Sequence, residues 1–134
     1  MQEANLTKAM LRGANLSEVD LSGADMRKVN LLNATAQRSN FSWTDMRGAV
    51  LTRGDFTATD FSDAKLDGAV MMQAILVQAR LLAVDFTDAN LRGVDFKSAD
   101  IRGANFRNAD LLGAKNLAKT RGLKKARHLD KAVL

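Results

Sequence analysis

Fifteen carboxylates, twenty basic side chains and one imidazole, His128, are the groups in this chain that could move protons or polarise a substrate. Hydrolysis or group transfer needs a nucleophile, a base beside it and a cleft to hold the reacting atoms. The chain has no Cys and no Tyr, and His128 sits in a lysine- and arginine-rich tail. Without Cys, neither a disulfide framework nor a thiolate metal site can form. Oxygen ligands are plentiful, but they show no clustered spacing of the calcium-loop kind. Asp20, Asp60 and Asp100 fall on the same slot of a regular spacing, which makes them structural residues first. The expectation is a protein that is not an enzyme, with no cofactor and no bound metal.

The spacing that holds those carboxylates is five. From Ala89 to Leu111 a large apolar residue recurs at Leu91, Phe96, Ile101, Phe106 and Leu111. Two positions before each stands a small residue: Ala89, Val94, Ala99, Ala104, Ala109. Between the two is always Asp or Asn. A helix repeats at 3.6 residues and a strand alternates at two, so neither describes this stretch. A fixed self-similar period means a repeat architecture. The large slot runs without a break from Leu6 to Leu111, giving 22 units, and only Ala36 departs from Leu, Met, Ile or Phe. All six Phe of the chain fall in it. The middle slot is Asp or Asn in 15 of the 22 units.

Residues two apart in an extended segment face the same side. The small and large residues therefore point inward, the Asp or Asn points outward, and the last two residues turn the chain. Gly ends seven units, at Gly13, Gly23, Gly48, Gly68, Gly93, Gly103 and Gly113, where it frees the backbone to turn. Asp and Asn side chains can bond the backbone two residues on and hold such turns.

The motif Ala-Asp/Asn-Leu-x-x resembles that of the pentapeptide repeat family, over Ala4 to Ala114. The resemblance implies an all-β fold: a right-handed quadrilateral β-helix, one unit per side and 20 residues per coil. Residues 1–114 would then form about five and a half coils. Counted in twenties, one face stacks Leu6, Met26, Met46, Leu66, Phe86 and Phe106 inside. The next stacks Leu11, Leu31, Leu51, Met71, Leu91 and Leu111. The third stacks Leu16, Ala36, Phe56, Leu76 and Phe96; the fourth, Leu21, Phe41, Phe61, Leu81 and Ile101. A thin spot is expected at Ala36, partly filled by Phe56 from the coil above.

After Ala114 the register slips by one residue. Residues 115–134 show apolar residues three apart at Leu123, Ala126, Leu129 and Ala132. Thr120 could N-cap a short helix. The expectation is a set of helical turns laying Leu117, Leu123, Leu129 and Val133 over the end of the core. Charge divides at the same point. Residues up to Ala114 carry 13 basic and 14 acidic groups, whereas the tail carries seven basic groups against Asp130 alone. Such a tail could touch nucleic acid weakly. No aromatic residue accompanies the basic ones, so a solvated cap face is the preferred reading.

The outer surface breaks its own rule in one place. In the coil Ala64–Ala83 the four outward slots read Lys65, Val70, Ile75 and Arg80 instead of Asp or Asn. Three of its corner residues, Met72, Val77 and Leu82, are apolar too. Val50 stacks below Val70, Leu32 lies near, and the only Trp, Trp43, sits at an outward corner. A contiguous apolar band of this kind marks an interface. Val50, Val70, Met72, Ile75, Val77, Leu82 and Trp43 are therefore the candidate protein-binding residues. Arg80 between Asp60 and Asp100, and Lys65 between Asp45 and Asp85, read as surface ion ladders.

The function expected is a β-helical scaffold for protein–protein interaction, with an unidentified protein partner or a second copy in a homodimer. One alternative follows from the family resemblance: the quinolone-resistance members resemble duplex DNA and bind DNA gyrase. That mimicry needs a strongly acidic surface, which Arg27, Arg47, Arg92, Arg102 and Arg107 interrupt here. The second alternative is nucleic-acid contact through the tail. No apolar run reaches membrane-spanning length, and the repeats begin at residue 4 with no signal peptide before them. A bacterial, cytoplasmic setting is the expectation, with no membrane partner.

Overall fold

A computed structural model describes residues 4–134. The chain winds into a four-sided β-helix. Nineteen parallel bridges join the outward slots of successive coils at an offset of 20 residues, from Asn5–Asp25 to Asp95–Lys115. Each side is so short that it pairs through one bridge residue. Within a unit, the backbone bonds run in a fixed order. The large residue donates to the coil above (Leu6 N–H to the Asp25 carbonyl, 2.7 Å), and the outward residue donates to the coil below (Asp25 N–H to the Ala4 carbonyl, 3.0 Å). The corner residue donates upward again (Lys8 N–H to the Arg27 carbonyl, 2.9 Å), and the next small residue closes the turn (Ala9 N–H to the Leu6 carbonyl, 3.0 Å).

The corner explains the glycines. In all 22 units the fifth residue has φ between 52° and 73°. Seven of these are Gly; the others, Trp43 and Ala83 among them, hold the left-handed conformation with a Cβ. Left-handed geometry costs a non-Gly residue roughly 1–2 kcal/mol, which the bonds to neighbouring coils offset.

Inside, the large slot from Leu21 to Leu111 is buried throughout, with all six Phe fully enclosed. Leu6, Leu11 and Leu16 are only partly buried, since no described coil packs beneath them. The thin spot expected at Ala36 does not open, for Ala36 is fully buried. Phe56 leans toward Phe41, in Ala36's own coil, with ring centroids 6.4 Å apart. It also meets Phe61 edge-on at 5.5 Å. Its room comes from Gly54, where a Cβ would stand 2.4 Å from the ring. Phe86 and Phe106 stack at 5.3 Å higher up. The three hydroxyl residues of the small slot find carbonyls: Ser39 bonds Leu16, Thr44 bonds Phe41 at 2.7 Å and Thr59 bonds Ala36 at 2.6 Å.

The tail goes once more around the rod. Its bridges are Asp100–Arg121, Asn105–Arg127 and Asp110–Val133, so the offset grows from 20 to 21, 22 and 23. Each tail side has six residues: a small one, an outward one, a left-handed one, a Leu, and two more. The left-handed residues are Asn116, Gly122 and His128, each opening a short 3-10 turn: Leu117–Lys119, Leu123–Lys125 and Leu129–Lys131. The spacing of three in the sequence is thus half of a period of six. Leu117, Leu123 and Leu129 pack against the core, as a cap should. Val133 does not cover it; that residue occupies an outward slot and is exposed. Nor does Thr120 start a helix. It is extended and ends the first turn, its hydroxyl donating to the Leu117 carbonyl at 2.7 Å.

Candidate functional site

The outward slot decides what each corner offers to solvent. All fifteen Asp and Asn residues in that slot accept a bond from the N–H two residues on; Asn5 to Thr7 (3.0 Å) and Asp60 to Ser62 (2.8 Å) are examples. Five Asp also hold a corner hydroxyl (Asp55, Asp85) or pair with an Arg two residues on (Asp25, Asp45, Asp100), as Asp45 does with Arg47 at 2.6 Å. Where the slot is not Asp or Asn, that N–H lacks this partner. The Asp67 N–H turns to its own carboxylate, while Arg12, Gln37, Thr52, Met72, Val77 and Leu82 have no acceptor among the described residues. Three of these six lie in the coil Ala64–Ala83. Residue identity at one slot therefore determines both an exposed side chain and an orphan donor two residues later, and sequence reading noticed only the first.

The candidate residues divide over the rod. Val50 and Val70 bridge to each other on the second face, with Val70 continuing to Asn90. Ile75, between Asp55 and Asp95, lies on the third face and is 39% exposed. Met72 stands on the corner between these faces, 36% exposed. Val77 follows on the next corner and is half-buried. Leu82 and Trp43 fall on the corner between the fourth and first faces, diagonally across the rod, where Trp43 is 69% exposed. The seven residues thus form one apolar surface around Val50, Val70, Met72 and Ile75, plus a separate corner.

Among the described residues, six of the rod's carboxylates pair with an Arg, three of them locally. Arg27, Arg47 and Arg102 each grip the Asp two residues before them, at 2.6–2.7 Å. These guanidinium bonds hold Asp25, Asp45 and Asp100 well below the usual carboxylate range. The ion ladders form only in part. Arg80 reaches down to Asp60 at 3.4 Å, while Asp100 above it is taken by Arg102. Lys65 makes no ion pair among the described residues, because Asp45 is taken by Arg47. Beside Lys65, burial and the nearby Asp85 push Asp67 up. Asp20, Asp60 and Asp100 are two coils apart on one face, about 10 Å from one to the next, each engaged in its own turn. His128 is an exposed corner residue of the tail. Among the described residues no three His, Asp or Glu side chains cluster as a metal site, and no helix is long and apolar enough to cross a membrane.

A family model for pentapeptide repeats matches the chain in eight copies, over residues 1–27, 14–53, 55–93 and 85–120. The chain belongs to the pentapeptide repeat family. Solved pentapeptide repeat proteins share its fold. One is from the thylakoid lumen of Arabidopsis thaliana, 29% identical, with a TM-score of 0.74 over 75% of this chain and 70% of that one. Another is HetL, involved in heterocyst differentiation regulation in the cyanobacterium Nostoc sp. strain PCC 7120. It is 30% identical, with a TM-score of 0.69 over 98% of this chain and 60% of HetL. This pentapeptide repeat protein thus spans 60–70% of the length of these two. QnrB1, a plasmid-mediated fluoroquinolone resistance protein, is a more distant match at 17% identity and a TM-score of 0.48. No curated protein matches. The architecture is the right-handed quadrilateral β-helix of the family, closed by the 3-10 turns of the tail.

Proposed function

We propose that this pentapeptide repeat protein is a non-catalytic scaffold that holds a protein partner on its outer surface, at the coil Ala64–Ala83. The observation that carries this is the loss of Asp and Asn from all four outward slots of one coil, with Val70 half-buried and Ile75 exposed in two of them on adjoining faces and Met72 exposed on the corner between. A rod alone in water gains nothing from that exchange, whereas an interface gains apolar burial. Replacing Val70 and Ile75 together by Asp returns the family's own residue to both slots. The double variant should fold and lose its partner in a pull-down; unchanged partner capture and unchanged mass by light scattering would remove this surface from the function.

DNA mimicry draws no support from the charge pattern. Asp25, Asp45, Asp60, Asp100 and Asp110 are each neutralised by an Arg on the rod. Nucleic-acid contact through the tail is also disfavoured. Lys115, Arg121 and Arg127 leave the rod on three different faces, so they do not form the single stripe that a phosphate backbone would follow.

A further inference from the structure

The surface proposed above lacks acceptors. Ile75 is flanked by two orphan donors, the Met72 and Val77 N–H groups, and a third, Thr52, stands one coil beneath Met72. In fifteen other units this same N–H is held by a carboxylate or amide oxygen at 2.8–3.3 Å. Two of the cations nearby, Arg53 and Lys115, are not salt-bridged among the described residues. Arg53 donates through Nε to the Gln73 amide oxygen at 3.0 Å. The bordering carboxylates are already engaged. Asp55 accepts from the Gln37 amide (2.6 Å) and the Thr57 hydroxyl (2.6 Å). Asp95 accepts from the Asn116 amide (2.8 Å) and the Lys97 N–H (2.9 Å). Over Ile75, where Gly93 presents no side chain, lies an open depression of about 450 Å3 bounded by Gln73, Asp95 and Lys115.

We infer that the partner segment seated here is acidic and apolar together. Its carboxylate oxygens occupy the places left by the missing Asp and Asn, bonding the Met72 and Val77 N–H groups, and an apolar side chain enters the depression over Ile75. Arg53 and Lys115 supply the matching charge. The inference rests on the reading that this coil binds a protein. It also argues against a second copy as the occupant, since a copy of this surface brings further orphan donors and cations while its own carboxylates, Asp55 and Asp95, are already engaged. Duplex or single-stranded nucleic acid would bring acceptors too, but Val50, Val70 and Ile75 offer no aromatic face for a base.

The test is selection from a displayed random peptide library, on the wild-type protein and on a Val70→Asn/Ile75→Asn variant shown by its melting curve to be folded. Enriched peptides should combine Asp or Glu with Leu, Ile, Val or Phe. They should bind the variant about tenfold or more weakly, as expected for two lost hydrogen bonds and their apolar contact. The Met72 and Val77 amide resonances should move on titration, and Arg53→Gln should weaken binding about three- to tenfold. Peptides lost on the variant but devoid of acidic residues would overturn the inference and leave the interface reading standing. Equal binding to both proteins would overturn both. No enrichment, displacement by an oligonucleotide, or a wild-type dimer that the variant abolishes would overturn the acidic-peptide assignment.

Discussion

Ile75→Asn offers a direct measurement of what the outward slot does. In the same column, Asp55 below accepts the Thr57 N–H at 3.0 Å and Asp95 above accepts the Lys97 N–H at 2.9 Å. An Asn at 75, between two coils that already have this geometry, should take the Val77 N–H in the same way. A hydrogen bond of this type contributes about 0.5–1.5 kcal/mol net. Against it stands the lost burial of Ile75, which is already 39% exposed. Full burial of an Ile would contribute about 1.5–3 kcal/mol, and Asn keeps part of the contact, so roughly 1 kcal/mol is lost. Global stability should therefore stay within about 1 kcal/mol of wild type. The local effect is larger in relative terms: hydrogen exchange at the Val77 amide should slow by about two- to tenfold. Amide exchange followed by NMR, beside a thermal melt, reads both quantities. Asp55→Ala should do the reverse at Thr57. A folded Ile75→Asn variant whose Val77 amide exchanges at the wild-type rate would refute the account of the outward slot.

Gly54→Ala should destabilise by about 1–3 kcal/mol in chemical denaturation, because the new Cβ meets the Phe56 ring at 2.4 Å; Phe56→Leu in the same chain should recover much of the loss. Deleting residues from Leu117 onward uncovers the core and frees the bridge groups of Asp100, Asn105 and Asp110, so the shortened rod should aggregate or associate end to end in light scattering. Acid should weaken the fold in a defined window. Asp25, Asp45 and Asp100 have folded values below the unfolded one of about 3.9, so what they contribute is present above that pH and is lost as pH falls through their folded values. Asp45→Asn should flatten the acid limb of stability against pH, and added salt should flatten it further, since the Arg of each pair is about half exposed.

The repeat itself was legible because its slots differ in kind. Phe cannot sit outward at six positions by accident of packing, and Asp cannot sit inward unpaired, so the period of five, the inward columns and the turn bonds all follow from residue type. The tail was harder to read. Leu and Ala are both apolar, so a period of six, with Leu at one position and a small residue three later, looks like a period of three. What separates them is the left-handed residue before each Leu, and only Gly122 announces that in the sequence. Leu82 and Trp43 were grouped with Val70 because they belong to the same or a nearby coil, yet their place within the twenty-residue turn assigns them to the opposite corner. The partial ladders reflect competition: an Arg two residues away reaches a carboxylate with two bonds, while one a full coil away reaches it with one contact.

Because one coil is four identical sides, the compass direction of any surface feature is set by how many units precede it. An insertion of five residues among the lower coils would leave every inward column filled and every corner legal. It would nevertheless rotate everything above it by a quarter turn relative to everything below. An insertion of twenty would keep the heading and only raise the feature by one step, about 4.8 Å. The surface around Val70 and Ile75 can thus be re-aimed or lifted by small duplications that the core does not register, which separates changes of binding orientation from changes of fold.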